Sequence, residues 1–167
     1  DPKELLAVKP PFPRITYSKA VEQLRKKGAQ IEHGDDFGSD EEKLLTAELH
    51  LPLFVTHFPK KIKAFYMKED PRNAELVLAN DLLAPQGYGE LIGGSQREDD
   101  VEKLISRIRE QGMKPKDYEW YLDLRRYGSV PHSGFGMGAE RLLRWLCKLE
   151  HIRDTQPFPR VINRSYP

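Results

Sequence analysis

Between residues 134 and 147 the chain reads Gly134-Phe-Gly-Met-Gly-Ala-Glu-Arg141 and then Leu142-Leu-Arg-Trp-Leu-Cys147. Glycine at three alternate positions belongs to an extended segment, because alternate residues of a strand share one face. The Leu-rich run behind it has helical spacing, so the segment reads as a strand turning straight into a helix. A strand face made of glycine leaves bare backbone against which a flat ligand or another chain can lie. Arg141 falls in the first turn of that helix, where its guanidinium fork can hold a phosphate. Such a unit suits a nucleotide, although the same glycine spacing also occurs in plain strands that bend or pack closely.

The rest of the chain alternates between helical and extended periodicities. Residues 1–13 carry four prolines and no glycine and are expected to form an irregular lead-in without a helix. Thr16 or Ser18 can start a helix with Ala20, Val21 and Leu24 inward and Gly28 at its end. Ser39 with Glu42 three residues on is a capping-box pattern for a helix running to about Leu49. Leu53-Phe-Val-Thr-His57, Ala64-Phe-Tyr-Met67, Leu76 to Leu83 and Glu90-Leu-Ile92 read as neighbouring antiparallel strands. Asp99 and Asp100 lead a helix with Val101, Leu104, Ile105 and Ile108 on one face and Gly112 at its close. Pro115 opens another, with Tyr118, Tyr121 and Leu124 inward, and a last strand over His132 to Met137 feeds the final helix. The expected class is therefore α+β, an antiparallel sheet flanked by helices.

At 167 residues the chain fits one domain, and its 27 basic against 26 acidic residues give no global pull toward nucleic acid. An RNA partner would have to meet local basic patches; Arg125, Arg126, Arg160 and Arg164 are candidates for phosphate contact, with solvated or salt-bridged arginines as the plainer reading. The single Cys147 excludes an internal disulfide and is expected to pack on the buried side of the last helix. With no signal peptide and no apolar run near the length of a membrane span, a cytoplasmic protein without membrane contact is expected.

Asp81 and Glu90 fall near the ends of two adjacent expected strands, so their carboxylates can converge. Paired acids near a phosphate-binding arginine suit a Mg-ATP site, because magnesium takes one or two carboxylates together with phosphate oxygens. Two solvated strand-end acids are the plainer alternative. Arg97 follows Gly93, Gly94 and Ser95, and its fork can grip a carboxylate or amide oxygen of a small substrate; a surface salt bridge to Glu98 or Asp99 is its alternative. His132 before the glycine strand has no Cys or His partners at metal-ligand spacing. His57, Phe58, Lys63 and Tyr66 belong to a segment whose alternating aromatics read as packing.

The tail from Tyr127-Gly-Ser-Val-Pro-His-Ser-Gly to Arg141, with Ile152-Arg-Asp-Thr-Gln-Pro-Phe-Pro-Arg160 after it, resembles the third signature motif of class II aminoacyl-tRNA synthetases. Asp81-Leu-Leu-Ala-Pro and Gly89-Glu-Leu-Ile-Gly-Gly-Ser-Gln-Arg-Glu98 resemble the aspartate/asparagine branch, and Gly-Gly-Ser-x-Arg-Glu is more similar to its asparaginyl members. The resemblance runs from about Pro11 to the last residue. It implies adenylate formation, in which an amino acid's carboxylate attacks the α-phosphorus of ATP, followed by transfer to tRNA. It also implies roles: Arg141 with Gly134, Gly136, Gly138 and Glu90 for ATP, Asp81 and Glu90 for magnesium, and Arg97, Ser95, His132 and Ser133 for the amino acid. Arg97 and Arg141 are the expected catalytic residues, asparagine the expected substrate with aspartate as the other choice, and a homodimer the expected complete protein. Glu140 is expected only to anchor the helix start.

The first two motifs of the class and an anticodon-binding domain are not found, so residues 14–167 read as the C-terminal half of a catalytic domain or a shortened relative. Two other readings accompany this one. The same half-fold occurs in ammonia-dependent asparagine synthetases, which activate aspartate without tRNA, and a non-catalytic fragment would serve as a binding module.

Overall fold

The computed structural model describes residues 2–166. A short helix α1 (Pro2–Ala7) precedes strand β1 (Arg14–Thr16), helix α2 (Tyr17–Lys26) and helix α3 (Ser39–Thr46). Strands β2 (Leu53–Pro59), β3 (Glu69–Asp70), β4 (Asn73–Ala84) and β5 (Gly89–Gln96) follow, then helices α4 (Val101–Glu110) and α5 (Glu119–Arg126), strand β6 (Ser133–Met137) and helix α6 (Ala139–Leu146). The sheet runs β1-β2-β4-β5-β6, with β3 paired to β4 off this path. Among the described residues only the β1–β2 pair is parallel, so the sheet is mixed where an antiparallel one was expected.

Local chemistry sets the helix ends. Thr16 caps α2 by accepting from the Lys19 N–H at 3.3 Å, and Gly28 takes the positive φ of +92° that turns the chain away from the helix. Asp100 caps α4 by accepting from the N–H groups of Glu102 and Lys103 at 2.8 and 3.1 Å. At α3 the cap falls one residue earlier than the sequence pattern suggested: Gly38 is the N-cap, its N–H donates to Glu41 at 3.0 Å, and Glu42 is left free of capping.

Helices α2 and α3 cover one half of one sheet face. Tyr17, Leu24 and Leu45 pack there with Val55, Phe58, Val77 and Leu83 in the main core, where each fully buried side chain stabilises the fold by about 1.5–3 kcal/mol. Over β5 and β6 helices α3 and α6 reach the sheet only at the Gly89–Leu91 end, and Gly93, Gly134 and Gly136 leave the rest of the face without side chains for a helix to pack against. That open half is where the site lies. The opposite face presents Phe54, Leu78, Ile92, Phe135 and Met137, of which Phe135 is 70% and Met137 50% exposed.

Four local expectations fail. Pro2–Ala7 is helical, since its first residue is the position where a proline's missing N–H costs nothing and the next proline comes only at Pro10. Ala64–Met67 is not a strand: a 3₁₀ turn at Lys60–Ile62 follows Pro59, the Met67 N–H bonds back to the Ala64 carbonyl at 3.1 Å, and Met67 makes a lone bridge to Arg97. Phe65 is drawn instead into a second cluster with Leu104, Ile108 and Leu122. Leu124 points outward, its place on the inner side of α5 taken by Leu122 and Arg125. Cys147 is exposed at the end of α6, a helix with no fully buried residue.

Candidate active site

Across the open face, Val55, Asp81, Gly93 and Gly136 lie opposite one another on β2, β4, β5 and β6. The next row holds Ala79, Ser95 and Gly134. Strict alternation would place Glu90 on the other face with Ile92, but the β4–β5 register skips Leu91, pairing Leu82 with Ile92 and Leu83 with Glu90. This extra residue turns Glu90 toward Asp81. A side chain on Gly93 would meet Glu90 Oε1 at 2.9 Å and Asp81 Oδ1 at 3.6 Å, so the two carboxylates close over a bare α-carbon.

A third acid completes this end. Glu42 on α3 accepts the Glu90 N–H at 2.9 Å, the role its release from capping allows. Burial pushes the Glu42 carboxyl above the ordinary glutamate range, the Glu90 and Asp81 charges add to this, and the Glu90 N–H and Arg141 oppose it. Burial raises the Asp81 carboxyl as well, with Lys63 pulling it back and Glu90 adding to the rise. Lys63 bonds Asp81 at 2.9 Å and lies 3.9 Å over the Phe58 ring; burial works to lower its ammonium, but Asp81 together with Asp36 and Glu90 outweighs burial and the net shift is upward. Converging carboxylates held with too few cations form an environment that favours a bound cation. Among the described residues no group of three or more His, Cys, Asp or Glu forms a metal site by itself, while magnesium beside phosphate needs only one or two carboxylates.

Arg141 stands next to these acids, its Nη1 donating to the Glu90 carbonyl at 3.0 Å. Gly138, the N-cap of α6, makes room for it: a side chain there would lie 3.2 Å from Arg141 Cδ. Gly136 has nothing within 4 Å of the place its side chain would occupy, which leaves open space over the row. Of the three glycines, then, Gly136 leaves room for a ligand, Gly138 admits Arg141, and Gly134 admits Arg97, whose Nη2 lies 2.9 Å from where a Gly134 side chain would begin.

Arg97 ends the other side of the site. Its Nη1 donates to Ser95 Oγ at 2.7 Å and its guanidinium lies 4.7 Å over the Tyr66 ring. No ion pair among the described residues uses it; the carboxylates of Glu98 and Asp99 turn instead to Lys68. Ser95, only 3% exposed, therefore supports Arg97 from below. His132 joins the site through its backbone, since the Arg97 N–H donates to the His132 carbonyl at 2.9 Å, while its ring contacts the Val130 carbonyl and Arg125. Ser133 departs from expectation: it pairs with Gln96, and strand alternation places both on the face opposite Arg97, beside Leu78 and Phe54. Arg126 pairs with Glu119 and Asp123 on α5, and Arg125 is buried, so the structure leaves neither as a free phosphate contact. Glu140 lies near Gln156, which donates to it at 3.3 Å.

The sequence pattern marks Glu42 only as a capping residue and Arg125 only as a candidate phosphate contact, and it shows neither the pairing of Lys63 with Asp81 nor the stacking of Tyr66 under Arg97. Each takes its place through packing between elements far apart in the chain, and only Lys63 and Tyr66 lie in a segment already marked by its aromatics.

The family described as tRNA synthetases class II (D, K and N) matches residues 1–162. The asparagine–tRNA ligase of Pyrococcus horikoshii is 65% identical over 158 residues, covering 95% of this chain and 36% of the relative. That of Thermococcus kodakarensis is 62% identical over 167 residues, covering 100% and 39%. The crystal structure of the P. horikoshii asparaginyl-tRNA synthetase complexed with asparaginyl-adenylate superposes with a TM-score of 0.94 at 62% identity, over 100% of this chain and 38% of that one. An aspartyl-tRNA synthetase from Entamoeba histolytica superposes at 0.86 with 33% identity, over 96% and 34%. The chain thus spans less than two fifths of the length of these relatives. A family match over residues 1–162 makes this chain a member of the class II tRNA synthetases (D, K and N).

Proposed function

We propose that the full-length protein containing these residues activates asparagine with ATP as an adenylate and transfers it to tRNA. The observation that carries this is the arrangement of the open face: two carboxylates meeting over Gly93, an arginine at each side, and bare backbone between them. Its likeness to a synthetase solved with asparaginyl-adenylate supports asparagine over aspartate. In this reading Arg97 donates its paired N–H groups to the side-chain oxygen of the amino acid, and Arg141 meets the phosphates of ATP. The open row at Gly136 takes the nucleotide, whose flat base needs a face without side chains. Asp81 and Glu90 would hold magnesium, which when bound neutralises phosphate charge. Position and charge do most of the work, since the attacking carboxylate comes from the amino acid itself. Transfer to tRNA, a homodimer and a cytoplasmic location belong to the same proposal; no helix among the described residues is long and apolar enough to cross a membrane.

The test is pyrophosphate exchange by the full-length protein. Exchange is expected with asparagine and far less with aspartate. Exchange that follows aspartate, with free asparagine formed when ammonia is supplied, would assign the chain to ammonia-dependent asparagine synthesis. Absence of both exchange and ATP binding by calorimetry would leave a non-catalytic module.

A further inference from the structure

Arg125 is a buried cation near the site that the proposed chemistry does not use. It is 7% exposed, and no ion pair among the described residues neutralises it. A guanidinium buried without a carboxylate is costly unless other groups satisfy it. Here the partners are neutral and come from three places in the chain. Its Nε donates to the Glu98 carbonyl at 3.0 Å, its Nη2 donates to Tyr121 Oη at 3.0 Å and approaches His132 Nε2 at 3.4 Å, and the guanidinium lies 4.4 Å over the Tyr121 ring.

These partners border Arg97 on both sides. Glu98 is the next residue along, and its N–H is already tied to the Tyr66 carbonyl at 2.9 Å. With Arg125 on the Glu98 carbonyl, the residue following Arg97 is held through both its N–H and its carbonyl. The Arg97 N–H is held by the His132 carbonyl, and the His132 ring is in turn held by Arg125. The ring's tautomer follows from its contacts. Nδ1 lies 2.8 Å from the Val130 carbonyl, which only accepts, so Nδ1 carries the proton and Nε2 is left to accept from Arg125. Both ring nitrogens are therefore engaged within the protein. The same cluster reaches the guanidinium of Arg97, because the Tyr66 ring beneath it packs against Tyr121 at 6.4 Å between centroids, and both tyrosines pack on Phe65.

We infer that Arg125 is a positioning residue for the amino-acid end of the site: it holds the Glu98 carbonyl just beyond Arg97 and fixes the ring of His132, whose carbonyl takes the Arg97 N–H, so that the Arg97 fork meets the substrate side chain in one orientation. This rests on the proposed role of Arg97 and extends it to helix α5, which touches no substrate in that reading. A grip by two parallel N–H groups depends on angle as well as distance, so a loosened Arg97 loses affinity for the amino acid before it affects ATP.

The experiment measures pyrophosphate exchange in the full-length protein for Arg125→Lys and, as a milder change that keeps the ring, Tyr121→Phe. Lysine keeps the charge but lacks the planar fork that reaches three acceptors at once. The expected result is a KM for asparagine raised about tenfold or more in Arg125→Lys and by a smaller factor in Tyr121→Phe, with the KM for ATP and the melting temperature of Tyr121→Phe close to wild type. A merely structural role would lower kcat through loss of active protein and leave the asparagine KM in place, or raise both KM values together; either result overturns the inference. Should wild-type protein exchange asparagine while both variants keep its KM, the positioning role alone fails. Should wild-type protein not exchange asparagine at all, the reading of Arg97 fails first.

Discussion

The two ends of the open face handle charge in opposite ways. At the carboxylate end, Asp81, Glu90 and Glu42 crowd together, burial raises two of them, and Lys63 and Arg141 supply only part of the opposing charge. At the arginine end, Arg97 is held by a hydroxyl, an aromatic ring and backbone, and Arg125 behind it is held in the same neutral manner. One end is left short of a cation and the other keeps a cation unpaired. Ion pairs that used up every charge at either end would leave none free to meet a ligand. The contrast matches substrates that bring a cation with their phosphates at one end and a polar side chain at the other.

The largest effect is expected at the arginine end. Arg97→Ala in the full-length protein should lower asparagine-dependent pyrophosphate exchange about a hundredfold or more, because a fork making two charge-assisted bonds is lost. ATP affinity should change little, as Arg97 lies across the glycine row from Arg141. An equal loss for ATP would show that the two ends do not act separately.

Arg141→Ala comes next. One charge-assisted contact contributes about 1.5–3 kcal/mol, so ATP binding should weaken roughly tenfold to a hundredfold. Lys148→Ala serves as the control: that residue carries the same charge but is exposed and paired with Glu4 beyond the end of α6. Equal ATP affinities for the two variants would remove the nucleotide role of the glycine strand and its helix.

The elements that carry this contrast were only partly legible in the sequence. Short-range rules placed α2 and α4, since Thr16, Asp100, Gly28 and the apolar spacing act within a few residues. They also placed the glycine strand and the convergence of Asp81 with Glu90, although the skipped Leu91 that turns Glu90 inward leaves no local mark. Glu42 was hidden because the pattern assigned it to a cap that Gly38 and Glu41 make instead. Arg125 was hidden because an arginine near a helix end reads as surface, and only the meeting of α5 with the peptides around Arg97 and His132 shows that it is buried. Ser133 was misplaced for a related reason: a motif lists neighbouring residues together, whereas a strand sends them to opposite faces. Helical α1 and exposed Cys147 belong to the margin, where few tertiary contacts fix the outcome.

The smallest change expected is also the one that separates function from stability at the carboxylate end. Glu90→Gln keeps the backbone N–H that Glu42 accepts and the carbonyl that Arg141 reaches, and removes only the charge. Its charge helps to raise the carboxyls of both Asp81 and Glu42, so those two acids each oppose folding less once it is gone. A carboxyl raised in the folded state loses stability as pH rises through its folded value, so relief of that strain is felt at neutral pH. Lys63 loses the attraction of Glu90 in the same change, so without magnesium the melting temperature should stay close to wild type. The magnesium concentration needed for half-maximal exchange should rise, on the order of tenfold or less because Asp81 remains. A variant that melts lower and needs no more magnesium than wild type would mean that Glu90 stabilises the sheet and has no part in holding a cation.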